Sequence, residues 1–319
     1  MRFILILTFI FLVGFFRMAE LAATESEKKS DTEIYTYIIE NAANQQLRND
    51  ALSSLDVVSK EKETTCFILN ISVEDNDKDL RRHAFTLLSN RKDFVIDPSV
   101  LESYLQESDA TLRLEKMFFL ADRNEIGVIP SLLKEIAKTD FEKNQGKQLL
   151  EVLGKLKAKE VCDFASRALS LPPDNNSTDS PAREELRATA VGTLAQASCL
   201  NADRLIIQAG NTTAPSEATL HIAIDQTLGK LKTREDIDYL RDRVKSNHHV
   251  SCTRQWTIMS LGDTGDASVA SDILKGIEMD QNSGARRAAA DAFVKLNAKE
   301  ALSTLSDIIN DHWTELAGW

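Results

Sequence analysis

Residues 286–309 read RRAAADAFVKLNAKEALSTLSDII, and this stretch decides the fold. It opens on Arg286 and Arg287 and runs through Ala288, Ala289, Ala292, Phe293 and Leu296. It breaks at Asn297 and restarts with Leu302, Leu305, Ile308 and Ile309. Apolar residues three and four apart place one stripe on each half, so the stretch predicts two helices joined by a short turn. A pair this short cannot bury its stripes alone, so the same unit is expected to recur along the chain.

Working outward, a start-of-helix signal recurs at Arg48, Arg81, Arg113, Lys147, Arg187, His221, Arg254 and Arg286, spaced 33, 32, 34, 40, 34, 33 and 32 residues apart. That is the period of a repeat array. Small residues in the first helix let the next unit approach closely, and Leu and Ile in the second fill the space between layers. Leu153-Gly154, Leu228-Gly229 and Leu261-Gly262 are expected to end first helices, with glycine in the left-handed C-terminal conformation.

The segments LGKLKAKEV (Leu153–Val161), LGKLKTREDI (Leu228–Ile237) and FVKLNAKEAL (Phe293–Leu302) resemble the short HEAT-like repeats of the phycobilisome-lyase type: an Arg, small residues, Leu-Gly, a polar turn, then a Leu-rich helix. The resemblance covers about residues 47–316. Lys147 and His221 replace the Arg in repeats 4 and 6, and repeat 1 lacks the Leu-Gly pair. It implies an all-α fold, an α-solenoid of about eight two-helix repeats wound as a right-handed superhelix. Such repeats serve as scaffolds in unrelated settings, so the resemblance speaks to architecture more than to function.

The chain divides into residues 1–23, 24–46 and 47–319. In the first, Arg2 precedes an uncharged run, Phe3–Phe16, that is short for a bilayer span of about 20 residues. It reads as a secretory signal peptide ending near Ala22-Ala23, with an uncleaved membrane anchor as the alternative. Next comes a polar lead-in and a helix carrying Ile34, Tyr35, Ile38 and Ile39, placed to cap the array. The solenoid, 47–319, holds a loop insertion at 172–181, where Ser180 is expected as N-cap and Pro181 as first helical residue. Trp313, Leu316 and Trp319 cap the far end or form a docking site there.

Four cysteines, Cys66, Cys162, Cys199 and Cys252, show no tight metal-ligand spacing. Cys162 and Cys199 lie in adjacent repeats, where they can meet as a disulfide or sit apart as small buried residues. His248, His249 and Cys252 are the nearest approach to a metal site, but they lack a carboxylate nearby and read as an inter-repeat turn. Acidic residues shortly before the repeating Arg, as Asp79 before Arg81, Asp109 before Arg113 and Glu184 and Glu185 before Arg187, predict an internal ladder of charge-assisted hydrogen bonds.

The formal charge is −11, and −12 once residues 1–23 with Arg2, Arg17 and Glu20 are removed. Such a surface repels nucleic acid phosphate and anionic lipid, which excludes nucleic acid as a partner and leaves the membrane only to the N-terminal segment. The sequence has no GxSxG, HExxH or phosphate-binding glycine loop. HEAT-like deoxyhypusine hydroxylases, similar in helical pairing, hold iron through His-Glu dipeptides. None of His83, His221, His248, His249 and His312 is followed by Glu.

The expectation is therefore no catalytic, cofactor-binding or metal residue and no enzyme. The chain is read as an exported scaffold, periplasmic or extracellular, that binds a basic protein partner along its concave surface through residues the sequence does not name. A membrane-anchored structural element of the envelope is the alternative, and a lyase-like accessory enzyme a further one. Sequons at Asn70, Asn175, Asn176 and Asn211 would carry glycan only in a eukaryotic secretory route.

Overall fold

The computed structural model describes residues 30–91, 94, 96–138, 144–172, 180–246, 251–278 and 283–307. Among these residues every regular element is helical and there is no strand. The protein is all-α, compatible with a helical-repeat fold. Several helices start where a side chain takes up free N–H groups of the first turn. Ser30 and Glu33 close a capping box on α1 (Asp31–Asn41). Asn44 caps α2 (Gln45–Val58), and Asp77 caps α4 (Lys78–Ser89).

From α2 onward the helices follow one another in sequence as first and second members of pairs. α2 precedes α3 (Lys62–Glu74), and α4 precedes α5 (Pro98–Leu105). Next come α6 (Ala110–Asp122) with α7 (Ile129–Lys138), and α8 (Asn144–Lys155) with α9 (Cys162–Leu169). They are followed by α10 (Ser180–Gln196) with α11 (Ala202–Thr212), and α12 (Ala218–Leu231) with α13 (Arg234–Lys245). The last are α14 (Ser251–Thr264) with α15 (Ala270–Glu278), and α16 (Ser283–Lys295) with helical residues 299–307. Arg48, Arg81, Arg113, Lys147, His221, Arg254 and Arg286 are each the fourth residue of their first helix. Arg187 comes one turn later, because α10 carries an extra turn after the insertion. Ser180 and Pro181 are the first two helical residues there, so Ser180 is already helical where it was expected as the cap. Residues 173–179 of the insertion lie outside the described residues.

The chain forms two compact units, Met1–Phe119 and Leu120–Trp319. In the first, α1 packs on α2, α2 on α4, and α3 on α5. Its core joins Ile39, Leu52, Leu55, Ile68, Leu80 and Leu88, and Phe85 meets Tyr104 and Phe119 edge to face, with centroids 5.8 and 5.2 Å apart. In the second unit the first helices pack in sequence order, α8 on α10, α10 on α12, α12 on α14 and α14 on α16, while α11 meets α13 and α13 meets α15.

Two details correct the sequence reading. Gly154, Gly229 and Gly262 lie inside their helices and do not end them. They serve close approach: a Cβ on Gly229 would come within 2.7 Å of the Ser260 carbonyl oxygen, and one on Gly262 within 2.8 Å of Ala292 Cα, each on the next first helix. The left-handed residue comes three positions later. It recurs as Asn124, Lys157, Ser198, Lys232, Gly265 and Asn297, with φ from 53° to 77°. At Lys157, Ser198 and Asn297 the backbone closes the paired bonds of a Schellman turn, as in Lys157 N to Gly154 O and Ala158 N to Leu153 O.

Of the alternatives left open for the cysteines, Cys162 and Cys199 are joined in a disulfide across adjacent pairs, with Cα atoms 5.6 Å apart. The bridge ties the start of α9 to the turn after α10, so it closes a loop around the insertion. Cys66 is a free thiol on the surface of α3. No described helix is long and apolar enough to cross a membrane. Residues 1–29, with the apolar run, and 308–319, with Trp313, Leu316 and Trp319, lie outside the described residues.

Candidate functional site

The side chain at the repeat position joins one pair to the next. Arg48 Nε donates to Ile39 O at 2.6 Å, and its guanidinium pairs with Asp75. Arg81 donates to Asp75 O at 2.8 Å and forks onto Glu107 at 3.0 and 2.7 Å. Arg113 donates to Glu107 O at 2.7 Å. In the second unit Arg187 donates to Leu169 O at 3.3 Å and pairs with Glu217, and Arg254 donates to Ser246 O at 3.1 Å. Each guanidinium reaches back to a carbonyl before its own helix. Arg48, Arg81 and Arg187 also reach forward to a carboxylate just ahead of the next first helix.

The ladder therefore exists, but its carboxylates differ from those expected. Asp79 accepts from Gln45 Nε2, Asp109 accepts from Leu112 N, and Glu184 accepts from Thr219 N and Leu220 N. Asp109 and Glu184 are taken by free N–H groups of a first turn, and Asp79 by a side-chain amide, before any of them meets the guanidinium along the same helix. Of the predicted set only Glu185 meets a repeat-position cation, Lys147, at 2.5 Å.

In the first unit the ladder feeds a sealed network. Lys116, 1% exposed, donates to Ser72 O and to Glu107 Oε2, both at 2.7 Å, and lies 4.8 Å over the Tyr104 ring. Tyr104 Oη and Ser72 Oγ are 3.1 Å apart. Burial pushes the Glu107 carboxyl up, but Arg81, Lys116 and the Asp109 N–H together hold it down at about 2. Burial lowers the Lys116 ammonium. The network is buried, so it braces the fold and offers no face to a ligand.

One repeat position of the second unit carries His221, 3% exposed, and the cation there comes from the second helix. Arg243 Nη1 lies 3.1 Å from His221 Nδ1, and His221 Nε2 lies 3.2 Å from Ala214 O. Arg243 Nε is 2.9 Å from Asp225 Oδ1, an ion pair that is close in distance but not aligned as a hydrogen bond. Thr257 Oγ1 donates to Asp225 Oδ2 at 2.6 Å. Arg243 also donates to Tyr239 Oη at 3.3 Å. Burial, with Arg243 adding to it, lowers His221 to about 4. Burial raises the fully enclosed Asp225 to about 6 against the pull of Arg243 and Thr257.

This network opens on one side to a surface groove of about 560 Å³ between α11 and α13. Ile207 and Asn211 line it from α11, and Glu235, Asp238, Tyr239, Asp242 and Arg243 from α13. Gly210 makes room for Tyr239, since a Cβ there would lie 2.0 Å from the phenol oxygen. Glu235, Asp238 and Asp242, three and four residues apart, share one face of α13. Their ion pairs with Arg204, Arg241 and Lys245, at 3.6, 3.4 and 3.5 Å, are exposed and weak enough to exchange for another cation. Such a groove suits a basic, extended segment, with carboxylates for the charges and Tyr239 for an aliphatic stem. A second groove of similar size lies between α15 and residues 299–307.

His248, His249 and the side chain of Cys252, the nearest approach to a metal site in the sequence, lie outside the described residues. Among the described residues no group of three or more His, Cys, Asp or Glu side chains is placed to hold a metal ion. His83 contacts Asn49 and Ser53 on α2. The sequence marked His221 as a departure from Arg but gave no signal for Asp225, Tyr239 or Arg243, because α13 reads as an ordinary charged surface helix.

No protein-family profile matches the chain, and no curated protein sequence matches it. A solved structure similar to it is human deoxyhypusine hydroxylase in complex with glycerol, at 13% identity and a TM-score of 0.34 over 84% of this chain and 96% of that one. A likeness of that size carries no reaction, substrate or metal over to this chain. The sequence expectation that the chain is no enzyme is withdrawn and not taken further: this solved structure is that of an enzyme, so the comparison gives that expectation no support.

Proposed function

We propose that this chain is an exported helical-repeat protein that binds a basic segment of a partner protein on the second-helix face of its second unit. The groove between α11 and α13, with Glu235, Asp238 and Asp242 on one helix face beside Tyr239, is the observation that carries this reading. In the finer form implied by the resemblance to phycobilisome-lyase-type HEAT-like repeats, the pairs stack as a right-handed solenoid and this face is its concave surface. The formal charge of −11 favours a basic partner over nucleic acid or anionic lipid. Export is supported by the apolar run Phe3–Phe16 and by the Cys162–Cys199 bridge, since disulfides persist mainly in oxidising compartments.

The test is affinity capture from the native compartment with the wild-type chain and with the triple variant Glu235→Lys/Asp238→Lys/Asp242→Lys. A defined protein partner held by the first and lost by the second is the expected result, with binding weakened by salt. Recovery of the same proteins by both would end this reading. The apolar run also favours a second reading, a structural element of the envelope anchored through residues 3–16. Intact mass separates the two: a mature chain starting near Thr24 fits the first, and Met1 retained in the membrane fraction fits the second.

A further inference from the structure

The repeat position at which other pairs carry a permanent cation is filled at residue 221 by an imidazole, and each of its ring nitrogens faces an atom with a fixed hydrogen-bonding role. Nε2 faces the Ala214 carbonyl, which only accepts, so Nε2 bears hydrogen. Nδ1 faces Arg243 Nη1, which only donates, so Nδ1 offers its lone pair. The ring is neutral, with its hydrogen on Nε2. We propose that His221 and Asp225 form a proton-compensated joint in the ladder: a second proton on Nδ1 would turn the acceptor for Arg243 into a competing donor and expel the guanidinium, and the buried Asp225 carboxylate beside Arg243 is the alternative site for that proton.

Among the described residues, the groups facing the joint come from α10 to α14. Glu217, His221 and Asp225 belong to α12 and the turn before it, and Tyr239 and Arg243 to α13. Arg187 on α10 acts on the ring through its charge and pairs with Glu217. Thr257 on α14 holds Asp225, and Gly210 on α11 makes room for Tyr239. Arg243 and Tyr239 also line the groove, so loosening the joint changes the groove wall.

The two titrating members act with opposite sign. His221 is lowered from 6.5 to about 4, so its contribution to the fold is complete above 6.5 and is lost as the pH falls through 4. Asp225 is raised from 3.8 to about 6, so the cost of its buried charge is complete above 6 and is relieved as the pH falls towards 3.8. Between about pH 6.5 and 4 the unfolded chain holds this proton on His221 and the folded chain holds it on Asp225. The two effects nearly cancel, and acid sensitivity at His221 is masked until Asp225 is removed.

The experiment uses the full chain and two readouts. Ring nitrogen shifts of His221 at pH 6.5, assigned by their loss in His221→Gln, should report a neutral ring with hydrogen on Nε2. A ring protonated on Nδ1, or doubly protonated, overturns the proposal. Hydrogen exchange of α12 and α13 is then compared at pH 6.5 and 4.5, corrected for intrinsic rates, with amides of α3 and α4 as the control. Local opening in the wild type should change by no more than a few-fold. In Asp225→Asn it should rise by roughly tens of fold on acidification, and in His221→Gln it should fall by roughly tens of fold, as the shifts imply. The same slope in all three proteins overturns the proposal.

Discussion

Arg81 and His221 occupy the same fourth position of a first helix, one in each unit, and both are buried. Around Arg81 the charges are permanent. Glu107 takes a forked guanidinium and the Lys116 ammonium and stays ionised down to about pH 2. Around His221 the cation is supplied from α13 by Arg243, and the two partners that hold it titrate near 4 and 6. The first arrangement is enclosed on all sides, whereas the second opens on the groove between α11 and α13. One repeat position thus serves as a fixed brace in one unit and as a titratable support beside a surface groove in the other.

The largest effect expected is at the brace. Glu107→Ala leaves Lys116 and Arg81 buried without their carboxylate and should cost the first unit about 3–5 kcal/mol in denaturant unfolding. Loss of the disulfide acts on the second unit alone. Replacing Cys162 and Cys199 together by Ser frees a long loop and should cost about 2–4 kcal/mol, read as a lower melting temperature for that unit. Gly262→Ala should cost about 1–3 kcal/mol, because the new methyl meets the backbone of the next first helix, and exchange should rise first in α14 and α16.

Acid sharpens the comparison without any substitution. Glu107 is lowered from 4.5 to about 2, so its contribution is whole above pH 4.5 and is lost as the pH falls through 2. Exchange in α4 and α5 should rise over that window. The smallest effect should come from Lys147→Ala, whose pair with Glu185 is exposed: about 0.2–1 kcal/mol at low salt, and less at high salt.

How much of this was legible depends on whether a feature has a period. The eight helix starts were, because Arg, Lys or His must recur wherever one pair joins the next. The turn residues were not. Asn124, Lys157, Ser198, Lys232 and Asn297 adopt the left-handed conformation with side chains attached, and the nearby glycines drew attention to the wrong position three residues earlier. Glycine signals either backbone freedom or close approach, and only the neighbouring helix tells which. The ladder was legible as a principle but not in its partners. Asp75, Glu107 and Glu217 stand 26 to 30 residues from their Arg, while of the acids close by in sequence Asp109 and Glu184 are drawn to helix N-termini and Asp79 and Glu185 to other side chains. The groove left no trace because Tyr239 is one aromatic among charges on α13, and its significance rests on Gly210 of another helix.

For the partner proposed on the second-helix face of the second unit, the decisive measurement is hydrogen exchange of the wild-type chain, alone and with the captured partner. Slowed exchange is expected in α11 and α13 around Asn211, Asp238 and Asp242, with the first helices α10 and α12 unchanged on their outer faces. Protection confined to the first unit, or to the first helices alone, would contradict it.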